Sequence, residues 1–445
     1  MRTAFCVEKM KKKGIEKYIH FLITVAIFVV FWILHLKFVQ VTVDTRYSLF
    51  VCLIYAILYY LFAKTYNCYQ IGYDTAGELM YSQFITSLIC IFGSYLGISV
   101  IWNKFYPITM FIVAFVVQVS WNVLWSITAS KIYFMKNPPQ TAVIIYQNPE
   151  DLNRIREVYD SRLFKITKEI HIGENIGSKE LIAEILEYKV IFVSGISATL
   201  RNGLAKYCEE GNADGYFIPH VGDVIMEGAP HVQSFSVPLK LIKRTNPDVG
   251  YLIVKRGFDF VMSLIGIVVL SPVILIIAGA IKINDGGKVF YRQVRLTKNG
   301  RQFEILKFRS MREDAEADGI ARKALENDER ITKVGKVIRM CRLDELPQLF
   351  NILSGDMSIV GPRPERPELA EELVKEIPAF NLRLQVKAGL TGYAQVYGKY
   401  NTDSLDKLKL DLMYINRMNW FMDLKLMFAT IKILFIKEST EGVKE

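Results

Sequence analysis

Four apolar stretches, at residues 20–36, 47–63, 84–102 and 108–129, dominate the first third of the chain. Each approaches the roughly 20 residues that an α-helix needs to cross the hydrocarbon of a bilayer. They predict four transmembrane helices. The links at 37–46 and 103–107 are short and carry little charge, whereas Arg2, Lys9, Lys11, Lys12, Lys13 and Lys17 precede the first stretch and Lys131 and Lys136 follow the fourth. The positive-inside rule then places both ends of the segment in the cytoplasm. A cleaved signal peptide does not fit the first stretch, because no small-residue cleavage site follows it and three more apolar stretches do. None of the four carries Asp, Glu, Lys or Arg at its centre, which favours an anchor that also packs against a second copy over an ion or proton pathway.

With 445 residues, of which 51% are apolar, the chain exceeds one compact domain and cannot be disordered. Its six cysteines (Cys6, Cys52, Cys68, Cys90, Cys208 and Cys341) show no metal-ligand or redox spacing, which excludes a disulfide scaffold and a cysteine-built zinc site. The net charge of +10 calls for an anionic partner. Nucleic acid is not expected, since no basic helix with interleaved aromatics or finger spacing is present.

From Thr141 the texture changes to short β-rich runs at 141–146, 164–172, 188–195 and 215–222, alternating with helical segments. That alternation predicts a parallel α/β layer. A dinucleotide site would need a glycine-rich turn after the first strand, and here the turn reads Gln147-Asn148-Pro149. Residues 138–245 are therefore read as a Rossmann-like domain without nucleotide binding, regulatory or dimer-forming. His171, His220 and His231 within it are read as structural.

A fifth apolar stretch, 257–281, holds Ser271-Pro272 at its middle. Proline removes the hydrogen bond to the Val268 carbonyl and clashes with that turn. Lys255 and Arg256 before the stretch and Lys282 and Lys288 after it suit a helix-break-helix hairpin that enters and leaves by the cytoplasmic face, with Ser271 bonding the freed carbonyl. A kinked fifth span is the alternative, and it would carry residues 283–445 across the membrane.

Beyond residue 251 there is no histidine and one cysteine, so nucleophilic schemes that rest on a Ser-His or Cys-His pair are excluded there. What remains is a dense cationic frame, with Arg292, Arg295, Lys307, Arg309, Arg339, Arg342 and Arg363, around the adjacent acids Asp344 and Glu345. Arginine and lysine spaced this way suit a pyrophosphate-bearing substrate. The two acids could hold Mg²⁺ through oxygen, and one could attack phosphorus, or they could simply begin the helix that Pro347 and LFNIL predict. The GPRP loop at 361–364 is stiffened by its prolines and presents Arg363 either to a phosphate or to Asp356 or Glu365.

These residues carry a resemblance. KRGFD at 255–259, Ser271-Pro272, FYRQVR, KFRSM, LDELPQLFNILSGDMSIVGPRP at 343–364 and AGLTGYAQVYG at 388–398 together resemble the bacterial sugar transferases called polyprenyl-phosphate hexose-1-phosphate transferases, the monotopic phosphoglycosyl transferase superfamily. The likeness runs over about residues 250–437, and the whole layout is similar to the large form of that family. It implies transfer of a sugar 1-phosphate from a UDP-sugar to undecaprenyl phosphate, with release of UMP, at the start of exopolysaccharide, capsule or O-antigen synthesis. By the resemblance Asp344 is the nucleophile and Glu345 its partner in handling Mg²⁺ and the proton. Lys307, Arg339 and Arg363 fall at phosphate-binding positions, and Ser271-Pro272 falls on a re-entrant break, which places the catalytic domain on the cytoplasmic face of the inner membrane. Two departures stand out: Ala388, where the family usually has proline, and Leu296-Thr297, where a glycine-containing turn is common.

The expected fold class is thus a multi-pass membrane protein of mixed α and α/β type. It comprises a four-helix transmembrane domain (1–137), the Rossmann-like cytoplasmic domain (138–245) and a mainly helical catalytic domain (246–445) with a re-entrant helix at 257–281. A homodimer and contact with membrane lipid are further expectations. The segment 420–437 reads as an interfacial helix or as a core helix with solvated lysines, 366–377 as a solvated acidic helix, and Tyr393, Tyr397, Tyr400 and Asn401 as a surface that stacks on uracil or sugar.

Overall fold

The computed structural model describes residues 15–173, 177–234, 237–245, 247–312, 328, 330–398 and 402–433. Tyr400, Asn401, the basic residues before position 14 and the end of the 420–437 segment lie outside them. The chain divides into two compact units, Met1–Pro219 and His220–Glu445.

The first unit opens with helices α1 (Ile15–Phe38), α2 (Thr45–Thr65), α3 (Ala76–Ile101) and α4 (Thr109–Lys136). All four are long and apolar enough to cross a membrane. Their outward faces are apolar, as at Leu22, Leu53, Val116 and Leu124. Their contacts with one another are partly polar, because a polar group without a partner is costly away from water. On α4, Gln118 donates to the Thr24 carbonyl at 2.9 Å and the Tyr55 hydroxyl at 2.8 Å, and Asn122 donates to Ser87 at 3.1 Å and bonds His20 at 3.0 Å. One helix face thus grips α1, α2 and α3.

The α/β part runs β1 (Gln140–Tyr146), α5 (Pro149–Val158), β2 (Phe164–His171), α6 (Ser178–Ile185), β3 (Val190–Ser194), α7 (Ala198–Glu209) and β4 (Asp214–Phe217). The strands form one parallel sheet in the order β2-β1-β3-β4. Both faces of β1 and β3 are covered, Val143, Ile145, Ile191 and Val193 on one side and Ala142, Ile144, Val190 and Phe192 on the other, which is why these strands read as unbroken apolar runs. At the end of β3, where a doubly wound sheet would receive a ligand, Ser194 donates to Asp151 at 2.9 Å, and Gly195, at φ +72°, has no room for a Cβ beside that carboxylate.

The second unit begins with α8 (Val221–Gly228) and a hairpin of β5 (His231–Ser234) and β6 (Val237–Lys240). Val224 packs with Leu408, Leu412 and Leu426, and Asn416 donates to its carbonyl at 2.8 Å, so this stretch folds with the C-terminal residues. Then follow α9 (Val249–Asp285), β7 (Phe290–Leu296) paired with β8 (Gln302–Phe308), α10 (Lys333–Met340), a 3₁₀ turn (Leu343–Glu345), α11 (Gln348–Ser354) and β9 (Ser358–Val360). The chain closes with α12 (Pro367–Glu376), a 3₁₀ segment (Phe380–Gln385), β10 (Gly389–Thr391), α13 (Tyr393–Tyr397), α14 (Ser404–Asn416) and α15 (Trp420–Ile433).

Contrary to the expected helix-break-helix, α9 is continuous through Pro272, because Ser271 Oγ donates to the Val268 carbonyl at 2.7 Å and so replaces the bond that the proline cannot make. It is long and apolar enough to cross a membrane, yet both of its halves are fixed to this one unit. In the first half, Lys255 pairs with Asp423 at 2.7 Å, Arg256 caps α11 through the carbonyls of Ile352 (2.6 Å) and Leu353 (2.8 Å), and Asp259 accepts the Ile359 N–H at 3.0 Å. In the second half, Ile274, Ile277 and Ile281 form a core cluster with Phe308 and Ile338. Every charged residue of the KRGFD stretch is therefore a rivet between the apolar helix and the fold behind it.

Strands β9 and β10 run parallel, and their loops fuse backbone to backbone. The Gly361 N–H donates to the Thr391 carbonyl at 2.8 Å, and the Gly389 N–H to the Pro362 carbonyl at 2.9 Å. A Cβ on Gly389 would overlap Gly361 N, and one on Gly392 would overlap the Gly361 carbonyl. Gly389→Ala is expected to lower stability by about 1–3 kcal/mol through this overlap. Gly279→Ala, where nothing lies within 4 Å, should leave it unchanged or slightly higher. Thermal melts of the detergent-extracted proteins would check this, and equal melting of both variants would contradict it.

Candidate active site

The acidic pair sits at the junction of two short elements. Arg342 adopts a left-handed conformation at φ 53°, a strain of order 1–3 kcal/mol for a residue with a side chain. It turns the chain sharply from α10 into the 3₁₀ turn that carries Asp344 and Glu345. Leu343 and Leu346, on either side of the pair, pack on the same core cluster as Leu270 and Val273, which flank Ser271-Pro272. The acids are thereby seated over the middle of the apolar helix.

Lys307, near the end of β8, reaches Glu345 Oε1 at 3.0 Å, and Arg363 Nη2 reaches the same oxygen at 3.0 Å. Asp356 and Glu365, which the sequence offered as partners for Arg363, are taken instead by Arg301 at 2.9 Å and by Arg383 at 3.3 Å. Asp344 has no hydrogen bond or ion pair among the described residues. Burial opposes ionisation of both acids. At Glu345 the adjacent Lys307 and Arg363 outweigh burial and hold the carboxyl well below the usual range. At Asp344 burial and then the charge of Glu345 prevail over Lys307, Arg339 and Arg363, and its carboxyl is raised. Burial likewise pushes the Lys307 ammonium down, against the pull of Glu345. The pair thus consists of one carboxylate locked as an anion and one with open oxygens and greater basicity.

Arg339, in the last turn of α10, and Arg342 add positive potential at Asp344 and Glu345 respectively. Arg309 lies just past β8, buried, its backbone N–H bound to the Val289 carbonyl at 2.9 Å. Arg292 is not brought to the acids. In the β7–β8 register it faces Leu306, one residue out of step with Lys307, and it pairs with Glu304 at 3.3 Å on the exposed side of the hairpin. Tyr393 and Tyr397 contact one another at 4.5 Å and pack against the core of α14 and α15.

The described residues contain no group of three or more His, Cys, Asp or Glu able to hold a metal. Mg²⁺ asks for less, commonly one or two carboxylates completed by water and substrate phosphate oxygens. The open oxygens of Asp344 beside Glu345 fit that requirement.

The two departures noted in the sequence prove to be neighbours. Thr297 Oγ1 accepts the Ala388 N–H at 3.1 Å and donates to the Asp356 carbonyl at 3.0 Å, in a site where both residues are buried. A proline at 388 would supply no such donor, and a glycine at 297 no such acceptor. Thr297→Val, which strands both partners, is expected to cost about 1–3 kcal/mol, and Thr297→Ser should restore most of it. Thermal melts decide, and equal stability of the two variants would remove the pair's significance.

A helix long and apolar enough to cross a membrane, with a carboxylate pair beside Lys307 and Arg363 next to its middle, defines a membrane protein with a charged site at its apolar helix. The chain matches the family model described as bacterial sugar transferase over residues 250–437. It is 41% identical over 191 residues to the UDP-N-acetylgalactosamine-undecaprenyl-phosphate N-acetylgalactosaminephosphotransferase of Aeromonas hydrophila (42% of this chain, 45% of the relative). It is 40% identical over 219 residues to the UDP-glucose:undecaprenyl-phosphate glucose-1-phosphate transferase of Klebsiella pneumoniae (48% and 45%). The exopolysaccharide production protein PSS of Rhizobium leguminosarum bv. phaseoli is 38% identical over 203 residues, which cover 43% of this chain and 98% of that protein. The chain belongs to the bacterial sugar transferase family. Its match spans about half the length of the first two relatives.

Proposed function

We propose that the protein transfers hexose 1-phosphate from a UDP-sugar to undecaprenyl phosphate, giving undecaprenyl-diphospho-sugar and UMP, as the first membrane step of exopolysaccharide, capsule or O-antigen synthesis. The observation that carries this reading is the division of labour between the acids: Glu345 is tied through one oxygen to Lys307 and Arg363, while Asp344 has no hydrogen bond among the described residues and is raised in pKa. An Asp344 oxygen attacks the sugar-bearing phosphorus. The bond from that phosphorus to the bridging oxygen breaks, and UMP leaves with the electron pair. An oxygen of undecaprenyl phosphate then attacks the same phosphorus, and the bond to Asp344 breaks, which regenerates the carboxylate. Lys307, Arg363 and Arg339 neutralise the diphosphate, the term that dominates phosphoryl transfer. Mg²⁺, when bound, would add to that neutralisation, held by Asp344 and Glu345.

The fixing of both halves of α9 to one unit supports a re-entrant helix rather than a span, since the ends of a span stand about 30 Å apart on opposite sides of the hydrocarbon. Catalysis then faces the cytoplasm of the cell membrane, where α1–α4 serve as a four-helix anchor. The α/β domain, its ligand position taken by Asp151, serves regulation or assembly of a homodimer.

Detergent-extracted protein with undecaprenyl phosphate and Mg²⁺ should release UMP from one member of a UDP-sugar panel. Asp344→Asn should lower the rate at least about a thousandfold, as loss of a nucleophile does. No release from any donor, or full activity in Asp344→Asn, would overturn the reading.

A further inference from the structure

The loop that presents Arg363 cannot hold itself in place. Pro362 and Pro364 have no N–H, so the loop makes few bonds of its own, and four consecutive carbonyls are taken by donors from elsewhere. Pro362 O accepts from Gly389 N at 2.9 Å, Arg363 O from Arg383 Nη2 at 2.9 Å, Pro364 O from Arg295 Nη1 at 3.2 Å and Glu365 O from Leu296 N at 2.9 Å. Of these bonds, the one to the residue that touches Glu345 comes from Arg383. Arg383 is 4% exposed; its Nη1 bonds Glu365 Oε1 at 3.3 Å, and its Nη2 pairs with Asp411 Oδ2 at 2.7 Å. Asp411 is 1% exposed on α14, the helix whose Leu408, Leu412 and Ile415 are also buried. A buried carboxylate, a buried guanidinium, the Arg363 carbonyl and the Arg363 side chain thus stand in series, ending on Glu345.

We infer that Arg383, clamped by Asp411, is a positioning residue that acts through Arg363 on the donor's diphosphate. It touches no reacting atom. One planar guanidinium donates to two acceptors, Glu365 and the Arg363 carbonyl, while its charge pairs with Asp411, a combination the single nitrogen of lysine cannot reproduce. Arg383→Lys keeps the charge beside Asp411, so the core pair survives, while the bond to the Arg363 carbonyl or to Glu365 is lost. Loosening a phosphate-binding arginine by a fraction of an ångström to an ångström is enough to impair transfer.

The inference rests on the assignment of Arg363 to the donor, and a mutant cycle separates the two. UMP release is measured against UDP-sugar and against undecaprenyl phosphate for wild type, Arg363→Ala, Arg383→Lys and the double variant, with a melting curve for each. Arg383→Lys should lower kcat/KM for the UDP-sugar about tenfold, leave the KM for undecaprenyl phosphate unchanged, and add no more than about twofold in the Arg363→Ala background. Asp411→Asn, nearly isosteric, should show the same pattern more weakly and serves if Arg383→Lys does not fold. Undisturbed donor kinetics in Arg383→Lys or, where that variant does not fold, in Asp411→Asn would overturn the positioning role, as would fully multiplicative losses in the double variant. Unchanged donor kinetics in Arg363→Ala would instead overturn the assignment of Arg363, and with it this inference.

Discussion

Everything around the candidate site is organised by one oxygen. Glu345 Oε1 receives both the Lys307 ammonium and the Arg363 guanidinium at 3.0 Å, and these three residues come from a strand, a 3₁₀ turn and a proline-bound loop. A carboxylate this enclosed is tolerable only with its cations in place, since removing one partner of a buried pair is far more damaging than the pair's net worth. The same constraint separates the acids. With Glu345 fixed as the anion, its neighbour feels burial and then a like charge, and Asp344 is left the more basic of the two, without a hydrogen bond among the described residues.

Holding that oxygen demands rigidity from parts that are poor at providing it. The GPRP loop lacks two donors, and the fold compensates with glycine contacts so close that Gly361, Gly389 and Gly392 leave no space for a methyl group between them. On the other side, α9 is bound along its length by the charged residues of KRGFD and by Ile274, Ile277 and Ile281. The apolar helix, the acidic turn and the arginine loop consequently share one rigid frame.

Much of this was legible in the sequence, for reasons that differ by segment. The four apolar stretches and the alternating β-rich runs depend on local composition, and they fold as α1–α4 and β1–β4 close to the expected bounds. The Asp-Glu pair and the glycine-proline loop were legible because such residues cluster in sequence. Arg292 illustrates what was not: whether a strand cation faces the site depends on register, and the pairing of Tyr291 with Lys307 sends Arg292 to the opposite face. Arg383 and Asp411 left still less trace. Asp411 is one of several charges in DKLKLD, and Arg383 stands among the mixed residues NLRLQVK, so neither is singled out in the sequence, and only the packing of α14 reveals that they meet at 2.7 Å. The helix at Val221–Gly228 reads as one more α/β element, but Val224 has its partners on α14 and α15, far along the chain.

In the proposed reaction Asp344 forms a bond to the sugar-bearing phosphorus. Mass spectrometry of the protein incubated with its UDP-sugar in the absence of undecaprenyl phosphate tests it directly. A sugar-phosphate adduct is expected on the peptide that contains Asp344, formed with release of UMP, discharged when undecaprenyl phosphate is added, and absent from Asp344→Asn. An adduct on another residue, or UMP release that requires both substrates together and leaves the protein unmodified, would contradict it.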